Sequence, residues 1–148
     1  MALHGPIPVT FAHLFPHGCY LVGEVEPVKD FDASTRERFV QSRDKHTGEP
    51  VWQVAVMDAD PTLKAARKTV SVKILAAEQP VLPPAVAGLP FTPVEFDDIT
   101  VTPYVHSGTN RLAYSIRVRA VHAPRATATG TAPATTTGKV AAAGKDAA

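Results

Sequence analysis

Apolar and polar residues alternate most regularly in "RLAYSIRVRAV" (111–121). Leu112, Tyr114, Ile116, Val118 and Ala120 fall on one side, and Ala113, Ser115, Arg117 and Arg119 on the other. A period of two predicts a half-buried strand, here with a basic outer face. The same period runs through "TVSVKIL" (69–75), where Val70, Val72 and Ile74 alternate with Thr69, Ser71 and Lys73. In "VWQVAVMD" (51–58), Trp52, Val54 and Val56 share one side, and Val51, Gln53, Ala55 and Met57 the other. Three further segments read as strands: "GCYLVGEVEPV" (18–28), "FVQSR" (39–43) and "PVEFDDITVTPYV" (93–105). Gly23, inside the first of these, predicts a bulge or bend. "DKHTGEP" and "HSGTN" are too long for two-residue turns and predict hairpin loops.

Helical periodicity is scarce. "DPTLKAARK" (60–68) predicts two turns, with Asp60 as N-cap and Pro61 at the first helical position. "DASTRER" (32–38) suits a single turn. The segment from Glu78 to Pro93 carries five prolines and predicts an irregular connection. Five to six strands with little helix predict an all-β fold. The order of a long bent strand, a meander, an irregular connection and a last hairpin best suits a small OB-like barrel. An SH3-like barrel or a small sandwich stays open.

Composition divides the chain. From Ala123 it reads "APRATATGTAPATTTGKVAAAGKDAA", without an aromatic residue. Such a segment cannot bury enough apolar surface to offset its ordering entropy. The expected domain is 1–122, and the expected disordered tail is 123–148. The domain carries 12 Lys/Arg against 13 Asp/Glu and the tail three against one, which together give the net charge of +1. That excludes a simple polycation but leaves room for a local basic face.

Basic residues gather around the predicted hairpins. Arg43 and Lys45 flank the first, Lys73 lies on a strand near the helical connection, and Arg117 and Arg119 lie on the last strand. If a barrel brings these together, the result is a positively charged face suited to single-stranded nucleic acid. Phe39 alternates with Gln41 and Arg43 and is the candidate base-stacking platform, with a rim position as the alternative. Trp52 reads as core or as platform, Tyr114 as core, and Tyr104 either way. The expected nucleic-acid-binding set is Arg43, Lys45, Lys73, Arg117, Arg119 and Phe39.

Catalytic and metal-binding signatures are poor. His13, His17 and Cys19 lie close in sequence, but Cys19 is the only cysteine and no second ligand pair accompanies them. Cys19 also lacks an orienting group for nucleophilic chemistry. No enzyme activity, cofactor or metal is expected. No apolar run reaches the length of a membrane span, and no basic segment opens a leader, so a cytoplasmic protein without membrane association is expected.

Read together, "IPVTF…LFPHGCYLVGEVEPVKDFD", "QSRDKHTGEPVWQVAVMDADP", "KTVSVKI", "PFTPVEFDDITVTPYV" and "RLAYSIRVRAV" resemble the actinobacterial family of plasmid replication, integration and excision activators, carried by integrative and conjugative elements. The resemblance spans about residues 5–122. It implies an accessory role in the replication and transfer of a mobile element, without catalytic residues. The hairpin "DK-x-TG-x-P" and its following strand are also similar to small phage-type single-stranded DNA-binding proteins with OB folds. Two functions follow as expectations. One is a non-catalytic protein that binds single-stranded DNA for such an element. The other is a regulatory adaptor that binds a replication initiator, an excisionase or a repressor without touching DNA. Self-association is compatible with both.

Overall fold

The computed structural model describes residues 5–125. The expected tail, 123–148, lies outside the described residues beyond Arg125.

The chain forms β1 (Ile7–Val9), α1 (Phe11–Leu14), β2 (Cys19–Leu21), β3 (Glu26–Pro27), β4 (Val51–Asp58), α2 (Ala65–Lys68), β5 (Thr69–Leu75), β6 (Thr92–Asp97), β7 (Ile99–His106), β8 (Arg111–Val118) and β9 (Ala120–His122). The fold is mostly β, a curled mixed sheet in the order β1-β7-β8-β5-β4-β2-β6-β9, with β3 against β4. All pairs are antiparallel except β5 with β8.

Among the described residues, nine strands exceed the five to six expected, because long apolar segments are bent into shorter ones. β6 and β7 are halves of one segment broken at Asp98, whose φ of 52° lies in the left-handed region. β8 and β9 are halves of another, broken at Arg119, whose N–H donates to the Asp97 carbonyl at 3.1 Å. The two bends face each other and turn the sheet: β7 pairs with β8 on one side of them, β6 with β9 on the other. The bend expected at Gly23 is also present. Leu21 pairs with Val56 and Glu26 with Gln53, so five steps along one strand oppose three along the other. The two extra residues form the bulge that separates β2 from β3.

Three further expectations are corrected. "FVQSR" forms no strand; it contributes isolated bridges, Lys29 with Gln41 and Arg43 with Pro50. The 30–40 excursion before it is closed by local bonds, with the Asp30 carboxylate accepting from the Asp32 and Ala33 N–H groups. These local partners satisfy the backbone without a helix at 32–38. At 60–68, Asp60 caps a turn through the Thr62 N–H and hydroxyl, at 2.9 and 2.7 Å. Helix begins only at Ala65. One short helix was not expected: α1, capped by the Thr10 hydroxyl, which accepts from the His13 N–H.

The core lies inside the curl. Val54, Val56, Val72, Ile74, Val94 and Val118 are fully buried, one per two residues along their strands. Phe11, Phe15 and Phe96 form an aromatic group at one end, with centroids 5.5 to 6.3 Å apart. Trp52 packs against this core, and its indole N–H donates to the Ala76 carbonyl at 3.0 Å. On β8 the inward alternation fails partway. Ile116 and Val118 are buried, but Tyr114 is 59% exposed and Leu112 63%. β1 pairs with β7 only over 99–101, and β5 with β8 only over 116–118. The β7–β8 hairpin therefore projects past its neighbours, and among the described residues nothing covers Leu112 on its apolar side. Tyr114 is thus not the core residue that alternation predicts.

Candidate nucleic-acid interface

The loop between β3 and β4 is built around Asp44. Its carboxylate accepts from the His46 and Thr47 N–H groups, at 3.0 and 2.9 Å, and from the Thr47 hydroxyl at 3.2 Å. Gly48 then takes a φ of 76°, a conformation that suits glycine, and its N–H donates to the Asp44 carbonyl. "DKHTG" is therefore a self-capped tip, with Asp and Thr as caps and Gly at the left-handed position. Arg43 braces it from outside by donating to the Gly48 carbonyl at 3.0 Å.

This tip folds across the outer face of β8. Arg117 donates to Asp44 at 2.8 Å, and Arg119 to Glu49 at 2.7 Å. The partners lie 73 and 70 residues apart in sequence. Asp44 is 7% exposed. Burial pushes its carboxyl up, but the Thr47 and His46 N–H groups, Arg117 and the Thr47 hydroxyl outweigh burial and hold its pKa below the usual carboxylate value.

Beside the tip, the outer faces of β5, β8 and β7 line a groove of about 990 Å³. Its floor follows the sheet register. Lys73 is paired with Arg117, and Arg117 with Thr100; Ser115 is paired with Thr102. Lys45, His46 and Thr47 form one rim, and Tyr104 lies near the projecting hairpin. Four basic side chains, Lys45, Lys73, Arg117 and Arg119, line the groove against two acids, Asp44 and Asp98. Lys73 is half-buried. Burial first, and the neighbouring Arg117 second, lower its pKa below the ordinary lysine value. Among the described residues, neither Lys45 nor Lys73 has a carboxylate within ion-pair distance.

Of the six expected site residues, the fold gathers four into this groove: Lys45, Lys73, Arg117 and Arg119. Arg43 braces the loop instead. Phe39, 54% exposed, lies outside the lining; the segment that carries it makes only isolated bridges, at Gln41 and Arg43. Tyr104, on the outer face of β7, lines the groove, and so does Tyr114 of β8. The alternation of Tyr104 with Thr100 and Thr102 in "TVTPY" was the available signal. The arginines are not open charges. Both are held by loop acids, a pairing that no local pattern announces.

A second, apolar cavity of about 450 Å³ opens on the opposite face of the same strands, lined by Ile7, Val9, His13, Leu14, Val70, Val101, Tyr114 and Ile116. Elsewhere, Cys19 is buried and its thiol donates to the Val94 carbonyl at 3.7 Å. Burial, with Asp58 and Glu95 nearby, pushes the thiol up to about 12, which removes it as a nucleophile near neutral pH. Among the described residues, no three His, Cys, Asp or Glu side chains converge on a metal-sized position. No described helix is long and apolar enough to cross a membrane.

Comparison of the chain with protein-family models, with curated proteins and with solved structures gives no match.

Proposed function

We propose that this protein is a non-catalytic binder of single-stranded DNA, built on an OB-like barrel. Followed through the bends at Asp98 and Arg119, the pairing runs β2, β4, β5, β8–β9, β6–β7 and back to β2. With β2, β4, β5, β6–β7 and β8–β9 counted as five strands in chain order, the one parallel pair among the described residues, β5 with β8, joins the third and the fifth, which supports the OB topology. In that topology the loop after the first strand and the loop between the last two flank the ligand face. Here these are the 28–50 connection, with its Asp44-capped tip, and the 106–110 turn.

The observation that carries the reading is the groove. It combines excess positive charge, a row of hydroxyls and an exposed aromatic on one face of the sheet. Cations track a sugar–phosphate backbone, and the aromatic offers a stacking surface for a base whatever its sequence. Within the actinobacterial family that the sequence resembles, this activity would serve the replication or excision of a mobile element, where single strands are exposed, in the cytoplasm.

The test is a fluorescence-anisotropy titration of the full chain with labelled oligothymidylate and with duplex DNA of equal length, at two salt concentrations. The expected result is preference for the single strand, weakening as salt rises by about 0.7 in log K per log salt for each phosphate neutralised. Absence of single-strand binding at low salt would falsify the reading.

The adaptor reading has its own observation. Val105, Leu112 and Tyr114 are exposed on the projecting hairpin, and Tyr114 also lines the apolar cavity. A partner such as a replication initiator, an excisionase or a repressor would cover that side. Co-purification of such a partner with the wild-type chain, lost in Leu112→Asp, would favour this reading over the groove.

A further inference from the structure

Lys73 is a half-buried cation whose register partner is another cation, Arg117, and the carboxylate that balances Arg117 comes from a loop rather than from the sheet. Resting on the single-strand reading, we infer that the groove floor between Lys73 and Arg117 is a site for one backbone phosphodiester, and that Asp44 occupies the Arg117 end of it in the free protein.

The geometry is specific. Lys73, Arg117 and Thr100 form one row across β5, β8 and β7, and Ser115 and Thr102 form the neighbouring row. Two cations and adjacent hydroxyls match the charge and acceptor oxygens of a phosphodiester. The Asp44 carboxylate supplies the same kind of acceptor: Oδ1 takes the Arg117 bond, while Oδ2 takes the three bonds of the loop tip. This division of labour allows exchange. An arriving phosphate can replace Oδ1 at Arg117 while Oδ2 continues to hold the loop. Lys73 makes exchange favourable, because the phosphate meets two cations where Asp44 pairs with one.

The experiment compares the wild type, Asp44→Asn, Asp98→Asn and Lys73→Met for oligothymidylate binding over a salt series. Asparagine retains an acceptor for the loop N–H groups but surrenders the ion pair. Asp44→Asn is expected to bind several-fold tighter, because the phosphate no longer displaces a carboxylate from Arg117, with a salt slope steeper by up to about 0.7, because no freed Asp44 charge takes up a cation. Lys73→Met is expected to flatten the slope by a similar amount. In Asp44→Asn/Lys73→Met the gain should shrink, since both changes act on one site. Asp98→Asn removes an acid from the same groove that is not paired with Arg117, so its effect should be clearly smaller than that of Asp44→Asn. An equal effect of Asp98→Asn and Asp44→Asn would mean general electrostatics and overturn the inference. So would wild-type binding that Asp44→Asn leaves unaltered, a result under which the single-strand reading still stands.

Two measurements on the wild type need no variant. Amide resonances of His46 and Thr47 should move on addition of oligothymidylate, and stationary resonances there, with binding intact, overturn the exchange. Inorganic phosphate should move them only weakly. If it saturates the shifts without displacing the oligonucleotide, the site does not belong to the strand. Failure of every protein to bind oligothymidylate overturns both the reading and the site.

Discussion

Trp52 offers the sharpest check on how this fold is held. It lies mid-sheet on β4, paired in register with Pro27 of β3 on one side and Ile74 of β5 on the other. It is partly buried against the core and spends its one polar atom on the Ala76 carbonyl, just past the end of β5. Trp52→Ala removes the ring and the bond together. Truncating a buried Trp costs about 3–5 kcal/mol, and partial exposure puts this case near the lower end, about 3 kcal/mol. Trp52→Phe keeps most of the packing and loses the hydrogen bond, about 1 kcal/mol. For a domain of this size each kcal/mol lowers the melting temperature by roughly 4 °C. The expected falls are thus about 12 °C for Trp52→Ala and about 4 °C for Trp52→Phe. Thermal melts followed by far-ultraviolet circular dichroism give both values. If Trp52→Ala melts with the wild type and instead loses oligonucleotide binding, the residue is a stacking platform and the packing argument is wrong.

Three other outcomes follow from particular residues. The Asp44 carboxyl titrates below its unfolded value of 3.8, so its contribution is complete above that pH and is lost as pH falls through the lower folded value; the melting-temperature gap between wild type and Asp44→Asn should close on acidification, and a gap independent of pH would refute the ion pair's role. Lys73 titrates below its ordinary value because burial, then Arg117, disfavour its charge; the burden is present while Lys73 is charged and lifts as pH rises toward 10.5, so Lys73→Met should melt no lower than wild type at neutral pH while binding oligonucleotide more weakly. Asp98 holds a φ of 52° between buried Phe96 and Ile99; Asp98→Val should cost about 1–2 kcal/mol in chemical denaturation, and Asp98→Gly should not, because only the β-branched residue resists the left-handed bend.

The sequence by itself determined the parts of this protein that depend on near neighbours. β4 and β5 fall on the residues that alternation predicts, because both are covered on one face by the core. The loop tip was legible in "DKHTG", where the caps and the glycine act within five residues. The bulge at Gly23 was legible for the same reason. Tertiary structure alone decided what depends on which surfaces meet. Leu112 and Tyr114 alternate as faithfully as Ile116 and Val118, yet stay exposed, since β1 stops at Ile7 opposite Val101 and β5 pairs with β8 only from Ile116 onward. Phe39 and Arg43 read as strand residues beside a hairpin, but the Ser34 hydroxyl takes up the Val40 backbone next to Phe39, and Arg43 makes only an isolated bridge to Pro50. The basic face of β8 was visible as charge, but whether it meets solvent, a nucleic acid or a carboxylate was not. That is set by the curl of the sheet, which lays Asp44 and Glu49 on Arg117 and Arg119 across some seventy residues of chain, a separation over which no periodicity survives.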